Sequence, residues 1–218
     1  MSEPLDAHVL SEAQIDLIAD KLTSDGYILL TDCLPVALAQ ALLSEMISLP
    51  EQAFKSATIG RDNLQQLNER VRSNTLHWLN GTTLVQRQYL AAMGQLREGL
   101  NRRLFMGLFD YECHYSHYAP GDFYKRHLDA FKGKSNRVLS MVLYLNPDWQ
   151  REDEGELVLY APDSDDVILQ VEPRFNQCVI FLSDRFPHEV KVTRQDRYTI
   201  AGWYRINASI GGHIDPPR

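Results

Sequence analysis

The sequence predicts an α+β fold that is mainly β, in which N-terminal helices flank a sandwich or barrel of short strands. Apolar residues recur at helical spacing before residue 105, whereas short runs rich in Val, Ile, Tyr and Phe follow it. Turn clusters such as APGD, NPDW and SDRFP separate those later runs. About eight short strands at this spacing are typical of a sandwich or barrel, with the jelly roll among the options.

Three helices and a short strand are predicted in the first half of the chain. Ser11 is a suitable N-cap for the first helix, Pro35 lies at the start of the second, and Pro50 ends it. The polar segment Glu51–Gly81 has only a weak period, and its central part, Asn63–Asn80, is a candidate hairpin. A long irregular segment of this kind is either a functional flap or a plain surface loop, and both remain open. The helices are expected at Ser11–Leu22, Pro35–Leu49 and Thr83–Phe105, and the strand at Tyr27–Leu30.

Eight strands are predicted after residue 105, each bounded by turn residues. Their β-branched and aromatic content is typical of strands that pack in a sheet, and the helices are expected to cover the outside of that sheet. The strands are expected at Glu112–Tyr118, Tyr124–Ala130, Val138–Leu145, Glu156–Tyr160, Asp166–Val171, Gln177–Leu182, Glu189–Val192 and Tyr198–Ile206.

The composition predicts one domain over residues 1–218, with mainly helical support and a flap at 1–105 and a β core at 106–210. Hydrophobic residues make up 44% of the chain and charged residues 23%, which is ordinary for a globular protein that can bury a core. The net charge of −7 argues against general nucleic-acid binding, which usually needs a basic face.

The cysteines and the first residues favour a cytoplasmic location. Cys33 and Cys178 lie in apolar runs, and no pair of the three cysteines has metal-ligand spacing, which predicts buried free thiols in a reducing compartment. The first residues, MSEPLDAHVL, lack the pattern of a secretion signal, and no stretch has the roughly 18 apolar residues of a membrane span. We therefore expect a soluble protein without a membrane partner.

The segment YKRHLDAF, residues 124–131, contains two side chains that can bind a metal. If it forms a strand, alternation places His127 and Asp129 on one face, and His188 in a later β-type run is the natural third ligand. Two histidines and one carboxylate leave half of the coordination positions of an octahedral metal open, as in non-haem iron(II) oxygenases. On spacing alone, hydrogen-bonded histidines and a solvated carboxylate explain these residues equally well. A second pair, His213 and Asp215, is rejected because no strand or later histidine accompanies it.

Arg197 begins an apolar strand, RYTIAGWYRI, that follows the third proposed metal ligand. An arginine inside a barrel needs an anionic partner because an unpaired buried charge is very costly, and a carboxylate matches its planar fork. Thr199 on the same face and Tyr144 on a central strand can add hydroxyl donors. The distal carboxylate of 2-oxoglutarate fits this site, with the 2-oxo acid on the metal. The alternatives are a solvated Arg197 at a strand edge and a core Tyr144 bonded to backbone.

A series of motifs follows in order through Tyr118–Tyr204, namely YAPGDFYKRHLD, RVLSMVLYLNPDW, GELVLY, VEPRFNQCVIFLSDRFPHEV and RYTIAGWY. With them the chain closely resembles the catalytic domain of the prolyl hydroxylases, especially those that act on hypoxia-inducible factor and their bacterial counterparts. RVRSNTLHWLNG also looks like the flap that covers the substrate in that family. Many relatives have Gly-Gly where this chain has Glu154 and Gly155, so we expect a changed turn there.

The resemblance implies a double-stranded β-helix, or jelly roll, and a peptidyl-proline 4-hydroxylase that acts on a protein. It implies Fe(II), with 2-oxoglutarate and dioxygen as cosubstrates and ascorbate as a supporting reductant, and no catalytic residue beyond the metal ligands. The bacterial relatives make elongation factor Tu the expected substrate. The resemblance assigns iron to His127, Asp129 and His188, 2-oxoglutarate to Arg197, Tyr144, Tyr118 and Thr199, and the target proline to Tyr124, Arg137 and Trp203.

Other functions are compatible with these residues. The nearest is the same chemistry on a free amino acid or another side chain, although the GWY ending and the flap favour a polypeptide. A jelly-roll sensor that keeps its metal without turnover would not need the Arg197 pocket. A zinc hydrolase would need a general base, and Glu189 should face away from its neighbour His188 on the strand. Tyr124 and Trp203 could be packed aromatics. Oxygen sensing is a variant of the enzyme prediction.

Overall fold

The computed structural model describes residues 9–56, 71–130 and 136–207. Three helices lie in the first half of the chain, close to their predicted positions, at α1 (Glu12–Ser24), α2 (Val36–Ser48) and α3 (Leu84–Leu104). The strands of the described residues are β1 (Tyr27–Leu30), β2 (Lys55–Ser56), β3 (Thr75–Trp78), β4 (Leu108–Tyr118), β5 (Tyr124–His127), β6 (Arg137–Tyr144), β7 (Leu157–Tyr160), β8 (Val167–Val171), β9 (Cys178–Leu182), β10 (His188–Val190) and β11 (Arg197–Ile206).

The strands form two antiparallel sheets. The larger sheet has seven strands in the order β1-β9-β6-β11-β4-β3-β2, and the smaller sheet has four in the order β5-β10-β7-β8. Some neighbouring strands, such as β1 with β9 and β4 with β11, are far apart in sequence, as expected when a chain winds between two packed sheets. The arrangement is that of a jelly roll with few helices, so the predicted fold class is confirmed.

Alternation along the central strands divides the apolar residues into two cores. On β6 and β9, Met141 and Ile180 belong to the core beneath the helices, whereas Val179 and Phe181 belong to the core that includes residues of the smaller sheet. Successive side chains of a strand point to opposite faces, so a strand buried on both faces is apolar throughout. The second core forms the interior in which the candidate site lies.

The helix ends follow local sequence signals. Ser11 accepts a hydrogen bond from the Gln14 backbone, and the Gln14 side chain accepts one from the Ser11 backbone, so α1 begins with a capping box. Thr83 caps α3 through its hydroxyl, which accepts a hydrogen bond from the Gln86 backbone N–H. Phe105 ends α3 with a φ of 52°, a left-handed conformation that is uncommon for a bulky residue. The predicted N-cap at Ser11 is therefore confirmed.

Strand β5 is shorter than the sequence predicted, and this changes the account of Asp129. The strand pairs with β10 through His127 opposite His188, and it ends there. In the segment that pairs with β5, the residue just before His188 is Pro187, which has no N–H to donate to a further hydrogen bond between the two strands. Asp129 consequently lies in a bend beyond the strand, so strand alternation is the wrong reason for its position beside His127.

The flap region is described only in part. Strand β3 (Thr75–Trp78) pairs with β4 on one side and with β2 (Lys55–Ser56) on the other. The hairpin predicted within Asn63–Asn80 falls partly outside the described residues, and the observed partner of β3 precedes that range. Val71 and Ser73 also form backbone hydrogen bonds with Lys125 and Phe123, which covers the free edge of β5.

All three cysteines, Cys33, Cys113 and Cys178, are buried and free, as the composition predicted for Cys33 and Cys178. Burial raises the pKa of Cys113, which keeps it a thiol. Within the residues that the structure describes, the helices are too short or too polar to cross a membrane.

Changing Asp110 to asparagine is expected to lower the free energy of unfolding by about 3–5 kcal/mol. Arg205 is 1% exposed, and its guanidinium binds both carboxylate oxygens of Asp110. The change replaces the carboxylate that binds this buried cation most closely with a neutral amide, while the Glu112 carboxylate stays 3.4 Å from Arg205 Nη1. Urea denaturation measures the loss. The matched control is Asp25→Asn, which breaks an exposed pair with Lys21 and should leave the unfolding free energy almost unchanged. Equal effects of the two changes would contradict the prediction.

Candidate active site

His127, Asp129 and His188 lie together in the interior between the sheets. One ligand atom from each lies within 4.8 Å of the other two, and this is the cluster of potential metal ligands found among the described residues. The Nε2 atom of His127 is 3.5 Å from Asp129 Oδ1, and the Nε2 atom of His188 is 3.5 Å from Asp129 Oδ2. The three side chains could together bind one face of a single metal ion.

The imidazole rings are oriented by main-chain acceptors. Nδ1 of His127 is 2.8 Å from the Lys125 carbonyl oxygen, and Nδ1 of His188 is 3.1 Å from that of Phe186. Because a carbonyl oxygen can only accept, each Nδ1 carries the hydrogen and each Nε2 keeps a free lone pair. Metal-binding histidines are commonly held in this way. The two Nε2 atoms therefore face the position that a metal would take.

The protonation states also suit a cation. Burial lowers the pKa of His188 to about 4, so this imidazole is neutral at neutral pH. Burial alone would raise the pKa of Asp129, but the facing histidines outweigh burial and hold the pKa of this carboxyl well below its usual range. Metal ligands must be deprotonated, and a site with a neutral imidazole and a carboxylate meets that condition.

Arg197 provides the second half of the site. Its side chain is 1% exposed, and the guanidinium lies over the rings of Tyr118 at 5.0 Å and Tyr144 at 5.3 Å. Nε donates to the Gly155 carbonyl oxygen at 2.8 Å. In the described part of the chain, Arg197 Nη2 and the Tyr144 hydroxyl are buried without a hydrogen-bond partner. Buried polar groups are normally paired, so this pair of donors fits a bound carboxylate.

Tyr118 and Thr199 lie beside this arginine. Tyr118 is directly opposite Arg197 in the sheet, and Thr199 is opposite Tyr144. The Thr199 hydroxyl has only a long contact, 3.5 Å, to the Ser116 carbonyl oxygen, so it can turn towards another acceptor. Burial raises the pKa of Tyr118, which keeps this phenol a neutral donor. All four residues predicted to bind 2-oxoglutarate are therefore neighbours on adjacent strands.

The residues predicted to contact the substrate form two separate groups, Tyr124 with His127 and Arg137 with Trp203. Tyr124 stacks on His127 with ring centroids 3.6 Å apart and an interplanar angle of 17°. The guanidinium carbon of Arg137 lies 3.6 Å from the centroid of Trp203, and the Trp203 Nε1 atom is buried without a hydrogen-bond partner among the described residues. These side chains present aromatic faces and an indole donor, which suits a peptide group and a ring.

Sequence reasoning missed three residues that shape this site. The Ser140 hydroxyl donates to Asp129 Oδ2 at 2.6 Å and so orients the carboxylate. Arg72 lies over the Tyr124 ring at 4.6 Å. His114 packs against Trp203 with ring centroids 5.5 Å apart. Ser140 interrupts the apolar strand RVLSMVLY, and a polar residue in such a run was the available signal; Arg72 and His114 carry no comparable signal.

Acidification is expected to destabilise the protein through His114. Burial lowers the pKa of this histidine to about 3, whereas an unfolded histidine titrates near 6.5. The unfolded chain therefore binds the proton first as the pH falls below about 6.5, and wild type should lose about 1.4 kcal/mol per pH unit relative to His114→Gln. Urea denaturation of both proteins between pH 8 and pH 5 tests this, and parallel curves would contradict it.

The turn at Glu154 and Gly155 has positive φ at both residues. Glu154 adopts a φ of 55° and Gly155 a φ of 71°, so a residue with a side chain occupies a conformation that favours glycine. Gly155 supplies the carbonyl oxygen that binds Arg197 Nε, which ties this turn to the site. The rejected pair His213 and Asp215 lies outside the described residues.

Comparison with protein families supports the site. A protein-family model described as "2OG-Fe(II) oxygenase superfamily" matches residues 113–205, a range that includes all three candidate metal ligands and Arg197. Egl nine homolog 1 from Rattus norvegicus is 35% identical over 85 residues, covering 38% of this chain and 25% of the rat protein. The match thus spans about a quarter of the length of that curated relative.

Two solved structures are similar over most of the chain. A prolyl-4-hydroxylase from Pseudomonas putida is 36% identical with a TM-score of 0.80, and the match covers 89% of this chain and 100% of that one. A prolyl hydroxylase from Trichoplax adhaerens, solved with a peptide fragment of the hypoxia-inducible factor oxygen degradation domain, is 26% identical with a TM-score of 0.79. That match covers 89% of this chain and 90% of the other.

Proposed function

Because the chain belongs to the 2OG-Fe(II) oxygenase superfamily and is homologous to prolyl hydroxylases, we propose that it hydroxylates a prolyl residue in a protein substrate. Family membership implies Fe(II), 2-oxoglutarate and dioxygen. The observation that carries the proposal is the combination of the His127, Asp129 and His188 cluster with a buried arginine, Arg197, one nitrogen of which has no hydrogen-bond partner among the described residues. A metal site alone would not require that arginine.

The residues divide into groups with separate roles. When bound, Fe(II) and 2-oxoglutarate supply the oxidation: 2-oxoglutarate and dioxygen give succinate and carbon dioxide, and one oxygen atom enters a C–H bond of the substrate. His127 and His188 would hold the metal as neutral ligands, and Asp129 would supply the balancing negative charge. Ser140 holds the carboxylate of Asp129 in place through its 2.6 Å hydrogen bond.

Arg197 would bind the distal carboxylate of 2-oxoglutarate. Its Nε is held by Gly155, which leaves Nη2 for a planar acceptor, and the nearby Tyr144 hydroxyl is a neutral donor. Tyr118 and Thr199 complete the proposed pocket. The surrounding apolar side chains, including Val179, exclude water and strengthen these interactions.

Tyr124, Arg137 and Trp203 would receive the segment that carries the target proline. Tyr124 stacks on the candidate metal ligand His127, which supports a role for its ring beside the target proline. Arg137 and Trp203 offer a guanidinium and an indole N–H as donors to peptide carbonyl oxygens. No separate general base is needed in this proposal, and Glu189 binds Tyr160 and Lys191 instead.

Elongation factor Tu is the substrate that we propose for this chain. The resemblance of its motifs to those of bacterial prolyl hydroxylases supports this substrate, and the similarity to the Pseudomonas putida prolyl-4-hydroxylase supports a prolyl residue as the target. The Trichoplax adhaerens structure contains a peptide fragment, which supports a peptide segment as the form of the substrate. A cytoplasmic location belongs to the same proposal, supported by three buried free cysteines, and ascorbate is proposed to sustain turnover.

Succinate formation tests the function. The protein is incubated with Fe(II), 2-oxoglutarate and ascorbate, with and without elongation factor Tu. Mass spectrometry of the incubated elongation factor Tu then identifies any proline that has gained one oxygen atom. We expect substrate-stimulated succinate and one modified proline. Peptides with the proline replaced by alanine and free proline are the controls. Stimulation by free proline alone would favour an amino-acid hydroxylase, and no stimulation by any prolyl substrate would refute the proposal.

A further inference from the structure

A buried network of four charges lies behind the proposed substrate contacts. Arg137 donates to Glu112 Oε1 from Nε at 3.0 Å and from Nη2 at 2.9 Å. Arg205 Nη1 lies 3.4 Å from Glu112 Oε2, and the same guanidinium binds Asp110. Strand register explains the cluster, since Arg205 is opposite both Asp110 and Arg137, and Trp203 is opposite Glu112. Three neighbouring strands thus bring their charged residues to one place.

The charges in this network are balanced and mostly buried. Glu112 is 8% exposed, and the Arg205 side chain is also buried, whereas the Arg137 side chain is 28% exposed. Two carboxylates face two guanidinium groups, so each buried charge has an opposite neighbour. Glu112 is the member that contacts both arginines, which makes it the link between the buried pair and the more exposed Arg137.

This link determines where the Arg137 guanidinium lies. An arginine with partial exposure has many rotamers of similar energy, and holding it in one of them requires specific partners. Glu112 binds two of its nitrogens, and the guanidinium then rests 3.6 Å from the Trp203 ring centroid. His114 packs against the same indole, so Trp203 has neighbours that restrict its rotation.

We infer that Glu112 is a positioning residue, which holds Arg137 on Trp203 and so keeps both side chains ready for the substrate segment. This inference rests on the proposed function, in which Arg137 and Trp203 contact the protein substrate. Pre-arranged side chains bind more tightly because their ordering is complete before the substrate arrives. The inference predicts an effect on substrate affinity without a matching effect on 2-oxoglutarate.

The test variant is Glu112→Gln, which keeps the shape and one acceptor but removes the charge. We expect the KM for elongation factor Tu, or for a prolyl peptide that wild type hydroxylates, to rise about tenfold, with kcat within about twofold. The Kd for 2-oxoglutarate should stay within about twofold. The matched control, Glu172→Gln, breaks an ion pair with Arg174 at the surface and should leave all three constants unchanged. An unchanged KM in Glu112→Gln would overturn the inference.

Two further variants separate positioning from a merely structural role. Glu112→Asp restores the charge and should recover part of the lost affinity. Glu112→Gln combined with Arg137→Met should bind substrate no worse than Arg137→Met alone, because both changes remove the same arrangement. Additive effects, or equal losses of substrate and 2-oxoglutarate affinity together with a lower Tm, would show that Glu112 only supports the fold.

A spectroscopic readout keeps this test independent of the substrate. The indole N–H resonance of Trp203, assigned with Trp203→Phe, should shift in Glu112→Gln and not in Glu172→Gln, because the guanidinium leaves the ring. If wild type hydroxylates no prolyl substrate but the resonance shifts, the proposed function fails and the arrangement by Glu112 stands. If hydroxylation occurs and the resonance does not shift, the inference fails and the function stands.

Discussion

Replacing Asp129 with alanine is expected to abolish iron binding and to lower substrate-dependent succinate formation by at least about a thousandfold. Changes to residues that only orient a metal ligand already cost about 10–100-fold in metal affinity or activity. Asp129 is in addition the one carboxylate of the cluster, 3.5 Å from the Nε2 atoms of both histidines. Without it, two neutral imidazoles would face a divalent cation without a balancing negative charge.

The measurement is metal content after reconstitution with Fe(II), together with succinate formation. The control is Asp184→Ala, which removes an exposed carboxylate from the turn before His188. This variant should bind iron and turn over as wild type does, since its carboxylate is absent from the metal cluster. Normal iron content and normal turnover in Asp129→Ala would refute the assigned metal site.

Replacing Arg197 with methionine is expected to raise the Kd for 2-oxoglutarate at least about a hundredfold while iron binding is retained. Methionine fills similar space but donates no hydrogen bond. A carboxylate would lose at least two charge-assisted hydrogen bonds of about 1.5–3 kcal/mol each, and about 1.4 kcal/mol corresponds to tenfold in affinity. Burial lowers the pKa of Arg197 but leaves it a cation, so wild type offers a full positive charge.

Anaerobic titration with 2-oxoglutarate measures this loss, and metal analysis confirms that the metal site is intact. Arg194→Met is the matched control, because Arg194 is exposed and pairs with Glu154 at the surface. Tyr144→Phe, which removes one neutral donor, should weaken binding by only about five- to tenfold. Unchanged 2-oxoglutarate affinity in Arg197→Met would place the cosubstrate carboxylate elsewhere.

Helices and strands were predictable where the pattern was long and local. The capping box at Ser11 and the prolines around α2 set helix ends through contacts within a few residues. Strand ends were less predictable because they depend on the partner strand. Strand β4 begins at Leu108, before the predicted start, since β11 pairs with it along its whole length. Strand β5 ends early because its partner begins after Pro187.

The candidate site shows the same division. His127 and Asp129 are close in sequence, so their spacing indicated a shared metal site even though the bend after β5 was not foreseen. Arg197 stood out because a charge opens an apolar strand. Ser140 was missed because its contact with Asp129 joins the middle of β6 to the bend after β5, and a polar residue in an apolar run does not by itself show which residue it contacts.

By itself, the sequence predicted a mainly β fold with N-terminal helices, and it singled out the candidate metal ligands and Arg197. These features follow from hydrophobic period, capping residues and the chemistry of individual side chains, all of which are local. Only the tertiary structure decided that Asp129 reaches the histidines from a bend and that Glu112 joins Arg137 to Arg205. It also decided that one nitrogen of Arg197 has no partner within the part of the chain that the structure describes. The physical reason is register: contacts between strands distant in sequence depend on how the sheets assemble, and a shift of one residue would turn each side chain to the opposite face.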